Sequence, residues 1–162
     1  VTAQRIRRVA TPSYAVIGDG MPSADYVSAF ELDMPLESSA PRGNPRTSEQ
    51  WARAIFEQAP AVMRILLLLG WRLVLRLRLR SGRSAGFVLG WRIVSAEPER
   101  TVLEAHSPFL MARNIVGTSG SAVTWTTLVR FERRIARSIW NVVRPVHQLA
   151  TPYLFRRAAR YR

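Results

Sequence analysis

Cysteine is absent from the chain, which excludes disulfides, thiolate nucleophiles and thiolate-bound metals. Lysine is absent too, so all 24 basic residues are arginine. Histidine occurs only at His106 and His147, without HxxxH or HxH spacing, and no metal site is expected from such a set. Long apolar runs are missing. The longest, Ile65 to Leu69 with Gly70 and Trp71 added, is bracketed by Arg64 and Arg72. That is far short of the roughly 20 residues a membrane span needs. The opening VTAQRIRRVATPSYAVIG is basic but has no apolar core before a small-residue cleavage site, so no signal peptide is expected. The expected location is cytoplasmic. Glycine-rich phosphate fingerprints are also lacking, because the glycines of SGRSAG have the wrong spacing, and no cofactor is expected.

Acidic residues are scarce, and the formal net charge is +13. The 162 residues suffice for one domain, and a hydrophobic share of 48% excludes a disordered tail. The imbalance is local. Residues 1–59 carry six arginines against seven acids, and residues 101–132 carry two of each. Residues 60–100 carry eight arginines against two acids, and residues 133–162 carry eight and none. Arginine has GC-rich codons, so a GC-rich genome alone produces such a bias on solvated faces. A strongly basic surface also attracts phosphates and acidic lipids. Peripheral contact with an acidic membrane is the partner expectation for Arg76, Arg78, Arg80, Arg156, Arg157 and Arg160. Nucleic acid is the weaker one, since no recognition motif accompanies the charge.

Residues 1–24 read as an irregular arm punctuated by Pro12, Gly18, Gly20 and Pro22. DYVSAFELDM (25–34) places Tyr26, Phe30 and Leu32 on one side and reads as the first strand. PLESSAPRGNP (35–45) is a loop by composition. Thr47 and Gln50 form a capping box ahead of a helix with Trp51, Ile55, Phe56 and Ala59 on one stripe. Pro60 ends it and opens a second helix, whose stripe is Val62, Ile65, Leu66, Leu69 and Leu73. LRLRLR (75–80) is ambiguous. A helix would put Arg78 opposite Arg76 and Arg80, whereas a strand puts the arginines on one face and the leucines on the other. The reading is a helix fraying into an extended segment. Four strand-like segments follow: FVLGWRIV, TVLEAHS, FLMARNIVG and SAVTWTTLVRFE, with EPER and TSGS as turns. The last 30 residues make a helical stripe of Ile135, Ile139, Val142, Val146, Leu149 and Tyr153, which Pro145 and Pro152 would kink or split. Strands linked by hairpins, with helices outside, predict an α+β fold with a curved antiparallel sheet wrapped around a long C-terminal helix.

Four stretches carry a resemblance: ADYVSAFEL (24–32), WARAIFE (51–57), TLVRF (127–131) and VVRPVHQLATPYLFRRAAR (142–160). With the element order, they resemble the START-like superfamily, the polyketide cyclase or Bet v 1-like helix-grip fold, and within it an actinobacterial family of unknown function. EAHSPFLMARN departs from that pattern, where a more polar stretch is expected. The resemblance implies a single domain over residues 25–162 with a pocket between sheet and C-terminal helix that holds a small apolar or lipid-like ligand. Trp91, Trp125, Phe131 and Trp140 would supply apolar wall, and Asn114 or His147 would orient a polar group. The resemblance supplies no catalytic residues. An enzymatic alternative, cyclase- or hydrolase-like, would use His147 or His106. Glu104 and His106 share one strand face and can pair, though such pairs are also common surface contacts. Either Arg113 or Asn114 must face inward from an otherwise apolar strand. GTSGS (117–121) lacks the nucleophile-elbow pattern and reads as a hairpin turn.

Overall fold

The computed structural model describes residues 5–11, 21, 23–34 and 46–160. The loop at 35–45, and positions 12–20 and 22 of the arm, lie outside the described residues. In chain order come β1 (Ile6–Val9), β2 (Tyr26–Asp33), α1 (Ser48–Phe56), α2 (Ala61–Leu69), a π-helical turn (Gly70–Val74), β3 (Phe87–Val88), β4 (Trp91–Glu97), β5 (Arg100–His106), β6 (Leu110–Ser119), β7 (Ala122–Phe131) and α3 (Arg134–Arg160). The strands form one antiparallel sheet in the order β1-β2-β7-β6-β5-β4-β3. A bulge between Ile93 and Ser95 adds to its twist. The sheet curves around α3 in the helix-grip arrangement, with two helices inserted after β2.

The core lies on the concave face. Tyr26, Phe30, Leu32, Leu103, Val116, Val123, Trp125 and Val129 project from the strands onto Trp51, Ile55 and Phe56 of α1 and Trp140, Leu154 and Phe155 of α3. The face read for Tyr26, Phe30 and Leu32 in β2 therefore holds, and Val123, Trp125 and Val129 continue it on β7. A smaller cluster of Met21, Val102, Met111, Ile115 and Leu128 covers part of the convex face. The Thr47–Gln50 capping box is formed in both directions, at 3.3 and 3.0 Å.

Two elements differ from the sequence reading. The arm is not irregular throughout, because Ile6–Val9 adds an edge strand to β2. Glu31 and Asp33 are like charges on that edge, and Arg7 bridges both, at 2.5 and 3.4 Å. FVLGWRIV is not one strand but a hairpin. Val88 pairs with Trp91 across the two-residue turn Leu89–Gly90, and both turn residues have positive φ, 46° and 89°. A Cβ on Gly90 would meet the Arg80 carbonyl oxygen at 2.8 Å and Leu79 Cβ at 2.9 Å. Gly90→Ala is therefore expected to cost about 2 kcal/mol or more, measured by urea unfolding. An unchanged midpoint would show that the turn can relax.

LRLRLR is extended. The π turn closes through Leu75 N–H to Gly70 O at 3.0 Å, and the chain reverses at Arg76, whose φ is 50°. Leu75 and Leu77 are buried and Leu79 half-buried, whereas Arg76, Arg78 and Arg80 are exposed. Arg78 N–H donates to His106 O and Arg80 N–H to Gly90 O, at 2.8 and 3.1 Å. The seam thus fastens the end of β5 to the β3–β4 turn. Pro145 and Pro152 do not split α3, which runs unbroken for 27 residues.

Candidate functional site

Helix α3 is anchored at its ends. Ala136 and Trp140 are buried near the start, and Thr151, Leu154, Phe155, Ala158 and Ala159 near the finish. From Asn141 to Ala150 no residue is buried. Helix α2 has no buried residue at all, although its sequence is AVMRILLLL. The middle of α3 and the whole of α2 stand away from the sheet, and a cavity of about 580 Å³ lies between them. The apolar stripes, Val62 to Leu73 and Ile135 to Tyr153, are largely exposed: Leu66 is 58% and Leu149 76% accessible. A sheet wrapped around an amphipathic C-terminal helix implies that the α3 stripe is buried, and it is not. With their inner neighbours Met63, Leu67 and Val143, stripe residues such as Leu66, Val146 and Leu149 border the cavity.

Of the residues expected to line a pocket, Trp91, Asn114, Trp125, Trp140 and His147 do so. Phe131 does not line it. It lies at the very end of β7, paired with Leu110, half-buried against the edge of the core. Sequence reading missed Phe56, Trp71, Thr127 and Thr151, which complete the wall. Trp71 comes from the π turn and meets Phe56 and Trp91 edge-on, with centroids 5.8 and 5.4 Å apart. Aromatic identity was a signal for it. Thr127 carried none, because it belongs to an ordinary alternating strand.

Asn114, not Arg113, faces inward. Its Oδ1 accepts from Trp125 Nε1 at 3.0 Å and from Thr127 Oγ1 at 2.8 Å. An indole N–H can only donate, so the amide oxygen must face Trp125. Asn114 Nδ2 then has no partner among the described residues, which leaves two donors at the cavity. Thr127 spends its proton on Asn114, so its oxygen accepts from His147 Nε2, 3.3 Å away. That makes His147 the Nε2–H tautomer and leaves Nδ1 a bare acceptor, shut off from solvent without a partner. Thr151 donates to the His147 carbonyl at 2.8 Å. Burial pushes the imidazole down from its ordinary value to about 4, so it is neutral at pH 7. No carboxylate bonds to it among the described residues.

The Glu104–His106 pair forms, at 2.6 Å, and Arg113 joins it at 2.6 Å. The trio projects from the convex face, away from the cavity. Burial works to raise the Glu104 carboxyl, but hydrogen bonds and charge from His106 and Arg113 outweigh it and hold the group below its usual range. Among the described residues no three His, Asp or Glu side chains gather into a metal-binding set.

Arg76, Arg78, Arg80, Arg156 and Arg160 are exposed, whereas Arg157 is half-buried and engaged in contacts. Arg80 lies over the Phe87 ring, 5.1 Å from its centroid. It also joins Arg64, Arg72 and Arg83 around a second cleft, of about 360 Å³, on the other flank of α2.

Fold and site together define a helix-grip α+β domain with a half-open, uncharged cavity under its C-terminal helix. The family model described as "Protein of unknown function (DUF2867)" matches residues 21–154, and the chain belongs to that family. No curated protein and no solved structure matches the chain significantly.

Proposed function

We propose that this protein binds a small, uncharged, mostly apolar molecule in the cavity under α3, as the START-like resemblance also suggests. The observation that carries the reading is the lining itself. A chain of net charge +13 places no ionised side chain on this wall. Beside the indole N–H groups and the Tyr153 hydroxyl, its polar side chains are few: the Asn114 amide, the Thr127 and Thr151 hydroxyls and a neutral His147. That is the composition of a small-molecule site, and about 580 Å³ falls within the usual range of roughly 300–1,000 Å³. An apolar body would cover the tryptophans and the aliphatic wall. One carbonyl, ester or hydroxyl oxygen would accept from Asn114 Nδ2.

Acid–base catalysis by His147 or His106 has less support. His147 reaches only hydroxyls, and His106 lies on the opposite face of the sheet. Native mass spectrometry of the purified chain, followed by solvent extraction, tests the binding reading. The expected result is a near-stoichiometric adduct that solvent removes and that proves neutral and apolar. A bare protein mass, with no shift across a panel of lipids, sterols and polyketides, would count against it.

A further inference from the structure

Two helical faces flank the cavity mouth, and neither is covered by another element among the described residues. On α2 and its π turn, Leu66 and Leu73 are 58% and 70% exposed. On α3, Val146 and Leu149 are 66% and 76% exposed. Leu66, Val146 and Leu149 also line the cavity, so both faces border one opening. Single exposed apolar residues are ordinary, but a contiguous rim of aliphatic side chains on two elements marks an interaction surface.

Charge identifies the occupant. Residues 60–83 carry six arginines and no acid, and α3 likewise carries six and none. The helix spans two environments. One flank of α2 lines the uncharged cavity, and the other lines the cleft of Arg64, Arg72, Arg80 and Arg83. The sole acid at that cleft, Glu57, is already held by Arg53 at 3.1 Å. On α3 a helical repeat carries the exposed stripe past Tyr153 onto Arg156 and Arg160, both exposed. Aliphatic side chains flanked by arginine at headgroup depth are what an anionic bilayer surface accepts. The contact is peripheral. Among the described residues no single helix is long and apolar enough to cross a membrane, and α1 qualifies only as a pair with α2 and its π turn, bent by 92°, of which α1 is mostly buried in the core.

We infer that the rim formed by α2, the π turn and the outer stripe of α3 docks on an anionic lipid bilayer, with lipid phosphates received by the arginine cleft. The inference stands on the outer surface and does not need an occupied cavity. It predicts that the full chain sediments with phosphatidylcholine vesicles containing phosphatidylglycerol at least tenfold more than with phosphatidylcholine alone, and less as salt rises. Val146→Glu combined with Leu149→Glu should remove most of that binding while leaving circular dichroism unchanged, since both side chains already face solvent. Arg72→Glu with Arg83→Glu should reduce it at low salt. Asn114→Leu, whose side chain lies inside the cavity and off the rim, should bind vesicles as the parent chain does at temperatures where it is folded. Equal binding to neutral and anionic vesicles, or none, overturns the inference. So does a dimer in light scattering that Val146→Glu with Leu149→Glu dissociates, because the rim would then be covered by a second copy.

Discussion

Asn114→Leu is expected to destabilise the fold by about 2 kcal/mol and to weaken retention of a cavity ligand at least tenfold. The reasoning starts from Asn114 Oδ1, which accepts from both Trp125 and Thr127. Leucine has nearly the same shape and fills the space, so no void term applies. What remains is the cost of stranded donors, about 1–3 kcal/mol each. The two are not equal. Thr127 can rotate its hydroxyl toward His147 Nε2, if the imidazole moves its proton to Nδ1. The Trp125 indole is fixed between Phe56 and Phe155, at 5.1 and 6.2 Å, and cannot turn to another acceptor. Both donors therefore lose their acceptor, and the second is either Thr127 Oγ1–H or, if the tautomer inverts, His147 Nδ1–H, which has no partner either. The choice leaves a signature, because imidazole nitrogen shifts report the His147 tautomer. Urea unfolding gives the stability term and native mass spectrometry the ligand term. Unchanged stability would mean that the Trp125 N–H finds water from the cavity. Unchanged ligand retention would mean that Asn114 is not the polar anchor.

Much of the fold was legible because it rests on period and punctuation. The alternation Val123–Trp125–Thr127–Val129 marks the concave face of a strand, although Thr126 and Leu128 on its other face are buried too, and Thr47 with Gln50 marks a helix start. The β3–β4 hairpin was hidden, because Leu89–Gly90 is not one of the common hairpin dipeptides and the alternation of Phe87, Trp91 and Ile93 continues across it. The edge strand was hidden for another reason. It is held by backbone pairing with β2, beside which Arg7 meets Glu31 and Asp33, and both depend on the fold being in place. The cavity was half legible. Tryptophans and a lone inward asparagine marked the sheet side. On the helix side the same 3-to-4 period that marks a buried stripe also marks an apolar stripe left open, and periodicity cannot tell which face a helix turns to the sheet. Only the stand-off of α2 and of residues 141–150 from the sheet settles that.

Acid should unfold this protein in a way that one residue controls. His147 has a folded pKa of about 4, set by burial, against an ordinary value of 6.5. The folded state therefore binds fewer protons than the unfolded one between those values, and stability falls as pH falls. The contribution is complete above about pH 6.5. About 2 kcal/mol of it is gone by pH 5, and about 3 kcal/mol at pH 4, on the scale of 1.36 kcal/mol per pH unit. Carboxylates such as Glu104, whose folded pKa is lowered, add their own loss at more acid pH. His147→Gln separates the two. Glutamine keeps a donor for Thr127 but does not titrate, so the variant should lose only the carboxylate part. In calorimetric melts from pH 7 to pH 4 the parent should then lose more than the variant, by about 4–8 °C at pH 5. Parallel curves would mean that the imidazole gains a proton without cost, which requires water to reach Nδ1 in the folded protein. A cavity that lets water reach Nδ1 would be wetter than its lining implies, and the ligand would then be expected to carry a polar group at that nitrogen as well as at Asn114.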